Sequence, residues 1–219
     1  MAAIDLRWDS LPGEVDASSF RWFALKRAFD VIVGGIALSV AILVLMVLML
    51  AIMVESPGNP LFRQRRLGYQ GKPFWMLKLR TMVPNAEGRR AEVEHLNEAK
   101  PPLFKARNDP RVTRVGRFLR ATSLDELPQL ANVVIGHMSL VGPRPRLPQE
   151  FDLKNPEHRR RFAIKPGLAG LWQVSGRAAL NFDEALAIDL DYIDHWSFWW
   201  DLQLIWWTFL VVVRRQGAY

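Results

Sequence analysis

No cysteine occurs in the 219 residues, which excludes a disulfide framework, a thiolate nucleophile and thiolate metal ligation. Histidine is scarce as well. His95, His137, His158 and His195 stand apart with no i, i+4 pair, so the clustered imidazoles that a zinc site needs are missing. There is no internal repeat and no low-complexity tract. The most telling lack is local: from Val31 to Val54 there is no charged residue, no proline and a single hydroxyl, Ser39. As a helix that run is about 36 Å long, more than the ~30 Å hydrocarbon core of a bilayer, and it belongs in a membrane. It is too long for the apolar part of a cleavable signal. Glu55-Ser56-Pro57-Gly58 follows it directly, without a small-x-small cleavage site, so it is expected to be retained.

What is present is cationic. Lysine and arginine number 29 against 22 aspartate and glutamate, a net charge of +7, and half of the residues are hydrophobic. That suits one sizeable core on one anchor, facing an anionic partner. Phospholipid head groups and phosphorylated substrates come before nucleic acid. The expected organisation is an N-terminal segment with an interfacial helix over 1–28, a membrane helix over 29–55 and a catalytic domain over 56–219. The cysteine-free composition fits a cytosol-facing domain.

Residues 1–20 surround Pro12-Gly13 and read as loosely ordered. FRWFALKRAF, Phe20 to Phe29, alternates aromatics with cations as an interfacial helix start does. Cations also follow the apolar run, and basic flanks on both sides conflict with a simple crossing. A re-entrant hairpin broken near Gly34-Gly35 or Ser39 resolves the conflict. The alternative is a straight span whose second flank is basic because it binds substrate. Leu61 to Gln64 and Phe74 to Leu79 predict two strands around a Gly68/Gly71 turn. Asn85 to Ala99, closed by Pro101-Pro102, reads as a charged helix or a flap. After Pro110, Arg111, Arg114, Arg117 and Arg120 recur every third residue, an arginine row on one side of a helix. Glu150 to Phe162 and Asn181 to His195 read as helices, with a glycine-punctuated loop at Lys165-Pro166-Gly167, Gly170 and Gly176-Arg177. Trp196 to Arg215 carries five tryptophans and is too short to span. It reads as a helix along the membrane interface, with a buried core helix as the alternative.

The chemistry concentrates in Thr122–Arg146, TSLDELPQLANVVIGHMSLVGPRPR. Asp125 and Glu126 form an adjacent carboxylate pair, able to attack phosphorus or to hold Mg2+. Ser123 and Glu126 have capping-box spacing, and Asp125 itself is a second N-cap candidate. Either version puts the pair near a helix N-terminus, which favours ionised carboxylate and phosphate alike. Pro143 and Pro145 stiffen the turn that carries Arg144 and Arg146, limiting the entropy lost on holding a phosphate. Lys78 and Arg80, two apart on a strand, share a face and add a second cationic arm.

These motifs resemble those of the bacterial sugar transferase family, the monotopic phosphoglycosyl transferases that load a sugar phosphate onto polyprenyl phosphate. The likeness runs from about Lys26 to the C-terminus through KRAFDV, SPGNPLFRQRRLGYQGKPFWMLKLRTM, RVTRVGRFLRATSLDELPQLANVVIGHMSLVGPRPRLP and KPGLAGLWQVSGR. It implies an α+β fold, mainly helical with a small β-hairpin, anchored by a re-entrant N-terminal helix hairpin and interfacial amphipathic helices. A departure is that Ser39 is followed by Val40 rather than by the proline many members carry; with about 28 residues before the run, the chain resembles the minimal catalytic form. The resemblance makes Asp125 the nucleophile and Glu126 its partner, both toward Mg2+. Candidate phosphate ligands are Lys78, Arg80, Arg111, Arg120, Arg144, Arg146 and Arg177.

The implied reaction moves a sugar 1-phosphate from a UDP-sugar to undecaprenyl or another polyprenyl phosphate, with UMP released through a covalent aspartyl intermediate. It is the first membrane step of exopolysaccharide, capsule or O-antigen synthesis, placed on the cytoplasmic face of the bacterial inner membrane. Partners are the UDP-sugar, the polyprenyl phosphate and membrane lipid, without nucleic acid; homodimerisation stays open. The competing reading is a non-enzymatic, membrane-anchored basic protein that binds anionic lipid or nucleic acid through its arginines.

Overall fold

The computed structural model describes residues 17–98, 106, 108–175 and 181–214, with side chains from residue 23 onward. The expectations at Pro12-Gly13, Ala99, Pro101-Pro102, Gly176-Arg177 and Arg215 lie outside the described residues.

Helix α1, Ala17–Glu55, is one uninterrupted helix of 39 residues. The expected hairpin therefore has no turn in it: Gly34-Gly35 stays helical, and the Ser39 hydroxyl donates back to the Gly35 carbonyl at 2.9 Å. Gly34 instead eases the approach of the helix Gln129–Ile135, α3, since a Cβ there would lie 3.2 Å from the Val133 side chain. One stripe of α1 joins the core through Ala41, Leu45 and Ile52, while Val40, Leu43, Val47 and Val54 are 68–79% exposed on the opposite side. Both ends are tied to the same domain. The Arg27 guanidinium donates to the Val133 and Val134 carbonyls at 2.7 Å, closing the C-terminus of α3. The Glu55 carboxylate accepts from the Arg114 and Val115 N–H groups at 2.8 and 2.9 Å, closing the N-terminus of α2 (Arg114–Thr122). Each charge meets the end of the helix dipole that favours it.

Strands β1, Leu61–Leu67, and β2, Pro73–Leu79, form the expected antiparallel hairpin, in register from Leu61 opposite Leu79 to Leu67 opposite Pro73. Its outer edge is closed by a side chain. Asn132 on α3 accepts from the Leu77 N–H at 2.9 Å and donates to the Trp75 carbonyl at 2.8 Å, standing where another strand would pair. A second, parallel pair joins β3, Ser139–Val141, to β4, Gly167–Ala169. Gly167 permits this closeness, because a Cβ there would fall 2.0 Å from the Gly142 nitrogen.

Short helices α4, Pro156–Arg160, and α5, Leu171–Val174, precede α6, Phe182–Asp194, and α7, Phe198–Val213. Helix α6 matches the expectation and starts with a full capping box between Asn181 and Glu184. On α7, Trp199, Trp206, Trp207 and Phe209 are exposed while Leu204 and Asp201 are buried. One face of α7 thus joins the core, through Leu204 with Trp200 and Ile205 packed beside it, while the open aromatic face suits a bilayer interface.

Three expectations need correction. Asn85 to Ala99 is not an α-helix: Asn85 adopts φ +60°, and the described part holds turns followed by a 3-10 segment, Ala91–Leu96, that buries only Val93. With Ala86 and Val93 the buried apolar residues of this described stretch, there is no apolar stripe to pack. Glu150 to Phe162 is helical mainly at α4, which starts late because the Asn155 side chain caps it just before Pro156. The arginine row is interrupted, because α2 begins at Arg114 behind its N-cap Thr113, leaving Arg111 in the preceding turn.

Candidate active site

Asp125 and Glu126 lie in a 3-10 turn, Leu124–Glu126, between α2 and α3. Ser123 ends α2 in the left-handed region at φ 58°, and its hydroxyl caps nothing. Neither proposed cap forms: α3 follows Pro128 with no side-chain cap, and both carboxylates are turned to cations instead. Lys78 from β2 donates to Glu126 Oε1 at 2.7 Å and lies 3.7 Å from Asp125 Oδ2. Arg144, after β3, donates to Glu126 Oε1 at 3.3 Å. Arg120 from α2 donates its Nε–H to Thr81 Oγ1 at 3.0 Å and adds positive potential at Asp125.

These groups line a cavity of about 980 Å³. Asp125 is buried, and burial, with Glu126 adding to it, pushes its carboxyl above the usual range despite Lys78, Arg120 and Arg144. For Glu126, burial acts upward too, but Lys78 and Arg144 outweigh it and hold that carboxyl well below its ordinary value. The pair is thus split: Glu126 is anchored as an anion, and Asp125 is the more basic, less committed carboxylate.

Of the other predicted cations, Arg146 is buried, 3.7 Å from Glu150, with its guanidinium pushed down to about 10 by burial and by Arg161 and Arg144. Arg80 lines the cavity, yet its guanidinium holds the Ser56 and Pro57 carbonyls at the end of α1 rather than the acid pair. Arg111 is a buried structural partner of Asp109, at 2.6–3.2 Å, and also donates to the Ala86 carbonyl. Arg80 and Arg111 thus serve the walls of the site. Arg177 is outside the described residues.

The structure adds residues that the sequence did not signal. Trp172 on α5 lies under the Arg144 guanidinium at 4.7 Å and near that of Arg146 at 5.9 Å. Arg66 on β1 lines the same cavity, is pushed down to about 10 by burial and by Arg144, and donates to Gln64 Oε1 at 2.5 Å. An arginine within QRR offers no pattern that would single it out.

A family model described as bacterial sugar transferase matches residues 21–215. The chain belongs to the bacterial sugar transferase family. Among its relatives, the UDP-galactose-lipid carrier transferase of Erwinia amylovora is 41% identical over 199 residues, covering 89% of this chain and 42% of that protein. The UDP-glucose:undecaprenyl-phosphate glucose-1-phosphate transferase of Caulobacter vibrioides is 42% identical over 203 residues, with coverages of 89% and 72%. The exopolysaccharide production protein ExoY of Rhizobium meliloti is 37% identical over 198 residues, with coverages of 89% and 88%. The chain thus spans about two fifths of some relatives and most of others.

Among the described residues no group of three or more histidine, aspartate or glutamate side chains could hold a metal ion. Asp125 and Glu126 are adjacent hard oxygen donors at the cations, while Glu87 and Asp109 line the same cavity apart from them and Asp109 is committed to Arg111. The adjacent pair suits Mg2+, which takes one or two carboxylates and completes its shell with substrate phosphate and water. In this family member the fit requires Lys78 to yield its place between the two carboxylates.

Proposed function

We propose that the protein transfers a sugar 1-phosphate from a UDP-sugar to undecaprenyl phosphate or a similar polyprenyl phosphate, releasing UMP, as the membrane step that starts exopolysaccharide, capsule or O-antigen assembly. The reading is carried by one observation: a buried, basic carboxylate at Asp125 beside an anchored Glu126, ringed by Lys78, Arg120 and Arg144 in a cavity large enough for a nucleotide sugar. The named activities of the relatives from Erwinia and Caulobacter agree with it.

In the first half-reaction the Asp125 carboxylate attacks the sugar-proximal phosphorus. The bond from that phosphorus to the bridging oxygen breaks, and UMP leaves with the electron pair. In the second, an oxygen of the lipid phosphate attacks the same phosphorus, and the aspartyl oxygen departs as free carboxylate. Lys78, Arg120 and Arg144 offset charge on the diphosphate and on the transferring phosphoryl group. Mg2+ held by Asp125 and Glu126 would supply further charge neutralisation at the diphosphate. A covalent intermediate lets a soluble donor and a lipid acceptor react in turn at one site.

The membrane arrangement follows from the ties of α1. Between Arg27 and Glu55 a helix rises about 42 Å, more than the ~30 Å hydrocarbon core. A straight crossing would have to drag the domain, which holds both ends, through the bilayer. We therefore read the protein as monotopic, its exposed α1 stripe in one leaflet and α7 along the interface, on the cytoplasmic side of the inner membrane. The test is UMP release across a panel of UDP-sugars in lipid nanodiscs. Release that requires polyprenyl phosphate for turnover supports the reading, and turnover with no lipid dependence contradicts it.

A further inference from the structure

The segment Pro143–Arg146 is held by its carbonyls. Gly167 on β4 donates its N–H to the Pro143 carbonyl at 2.9 Å, and the Leu67 N–H on β1 donates to the Arg146 carbonyl at 3.2 Å. Arg66 Nη1 donates to the Pro145 carbonyl at 3.4 Å. The remaining carbonyl, that of Arg144, accepts from Arg161 Nη2. Four consecutive carbonyls thus each accept a hydrogen bond, the two prolines have no N–H to give, and the Arg144 guanidinium is left on Trp172 and Glu126.

Arg161 is buried, 2% exposed, its guanidinium close to the Phe151 and Phe162 rings at 5.1 and 5.6 Å. Its Nε–H donates to Asp189 Oδ2 at 2.7 Å, and Asp189 on α6 is also 2% exposed. A buried ion pair of this kind is a poor source of stability, because well-packed apolar residues of the same volume often do as well or better. What an apolar pair cannot provide is a donor aimed at one carbonyl with its direction fixed by a counter-charge.

We propose that Arg161 and Asp189 are positioning residues for Arg144: the pair anchors the Arg144 backbone so that its guanidinium stands over Trp172, ready to take a phosphate of the donor. The proposal rests on the reading of Arg144 as a phosphate ligand. It makes α6 part of the donor site, although Asp189 does not line the cavity. Arg161 touches no reacting atom. Its hydrogen bond toward the site goes to the Arg144 main chain, and its charge is also felt at Arg146.

The test is a double-mutant cycle read by UDP binding, with Mg2+, to the full chain in lipid nanodiscs by calorimetry, with melting temperatures taken in parallel. Lysine at 161 keeps the charge for Asp189 but loses the second arm. Arg161→Lys is expected to weaken UDP about tenfold when Arg144 is present and less than about twofold in an Arg144→Ala background, because lysine keeps the charge that Arg146 feels and only the hydrogen bond to the Arg144 carbonyl is lost. Asp189→Asn, which keeps an acceptor but removes the charge, should show the same dependence on Arg144. Equal losses in both backgrounds, or no loss with Arg144 present, overturn the inference while leaving the phosphate role of Arg144 intact. Unchanged UDP affinity in Arg144→Ala itself overturns that role and the inference with it. Loss of the thermal transition in both variants assigns the pair to folding and overturns the inference too.

Discussion

Asp201 offers the sharpest energetic prediction. Its carboxylate is 2% exposed and accepts from the Lys26 ammonium on α1, from the Tyr192 hydroxyl on α6 at 2.6 Å and from the Trp196 indole N–H at 3.2 Å. Asp201→Leu leaves a largely buried ammonium without counter-charge and two donors without an acceptor. Removing one partner of a buried pair costs about 3–5 kcal/mol. For a chain of this size each kcal/mol moves the midpoint by about 2–4 °C, so the melting temperature should fall by roughly 6–20 °C. The measurement is a tryptophan-fluorescence melt in detergent micelles. Lys26→Met together with Asp201→Leu should recover more than half of the loss, because the stranded charge is gone and only the hydroxyl and indole donors remain unpaired. A single variant that melts within about 2 °C of wild type, or a double variant no better than the single, would refute the reasoning.

Other expectations are equally direct. Asp109 has its carboxyl held below the usual range by the Arg111 hydrogen bonds. Its stabilisation is therefore present above about pH 4 and is lost as pH falls through the folded-state value, so the melting gap between wild type and Asp109→Asn should narrow below about pH 4. A gap that stays constant to pH 2.5 or so speaks against the pair. Because the chain has no native cysteine, Ser19→Cys and Arg63→Cys can each be labelled with an impermeant maleimide in sealed vesicles; both should react from the same side, and opposite sides would establish a crossing. Chelation by EDTA should abolish UMP release and added Mg2+ should restore it, whereas undiminished release in EDTA removes the metal from the scheme.

Some of this was readable because it is local in the chain. The two strands around Gly68 and Gly71, the helix beginning at Asn181 and the acid pair beside the proline-arginine turn are each written within a few positions. What escaped depends on distant partners. Arg161 meets Asp189, Arg66 meets Pro145, and Trp172 lies beneath Arg144; nothing in the flanking sequence announces these meetings. Local signals also misled. Arg89 with Glu92 and Arg90 with Glu94 make the i, i+3 and i, i+4 pairs of a helix, at 2.9 and 3.4 Å, yet without an apolar stripe they do not create an α-helix. The Ser123-x-x-Glu126 spacing failed as a capping box because Lys78 and Arg144, closer in charge, claim the glutamate. Lys78 does leave β2, but Arg80 lies one residue past the end of that strand and is drawn off by carbonyls at the end of α1.

The central claim is that Asp125 carries the sugar phosphate between donor and lipid. Its most direct test is the intact mass of the chain after brief incubation with a competent UDP-sugar and Mg2+ in the absence of polyprenyl phosphate. The account predicts an adduct with the mass of one sugar phosphate, absent from Asp125→Asn and discharged when the lipid phosphate is added. Full turnover by Asp125→Asn, or an adduct that persists in that variant, would contradict it.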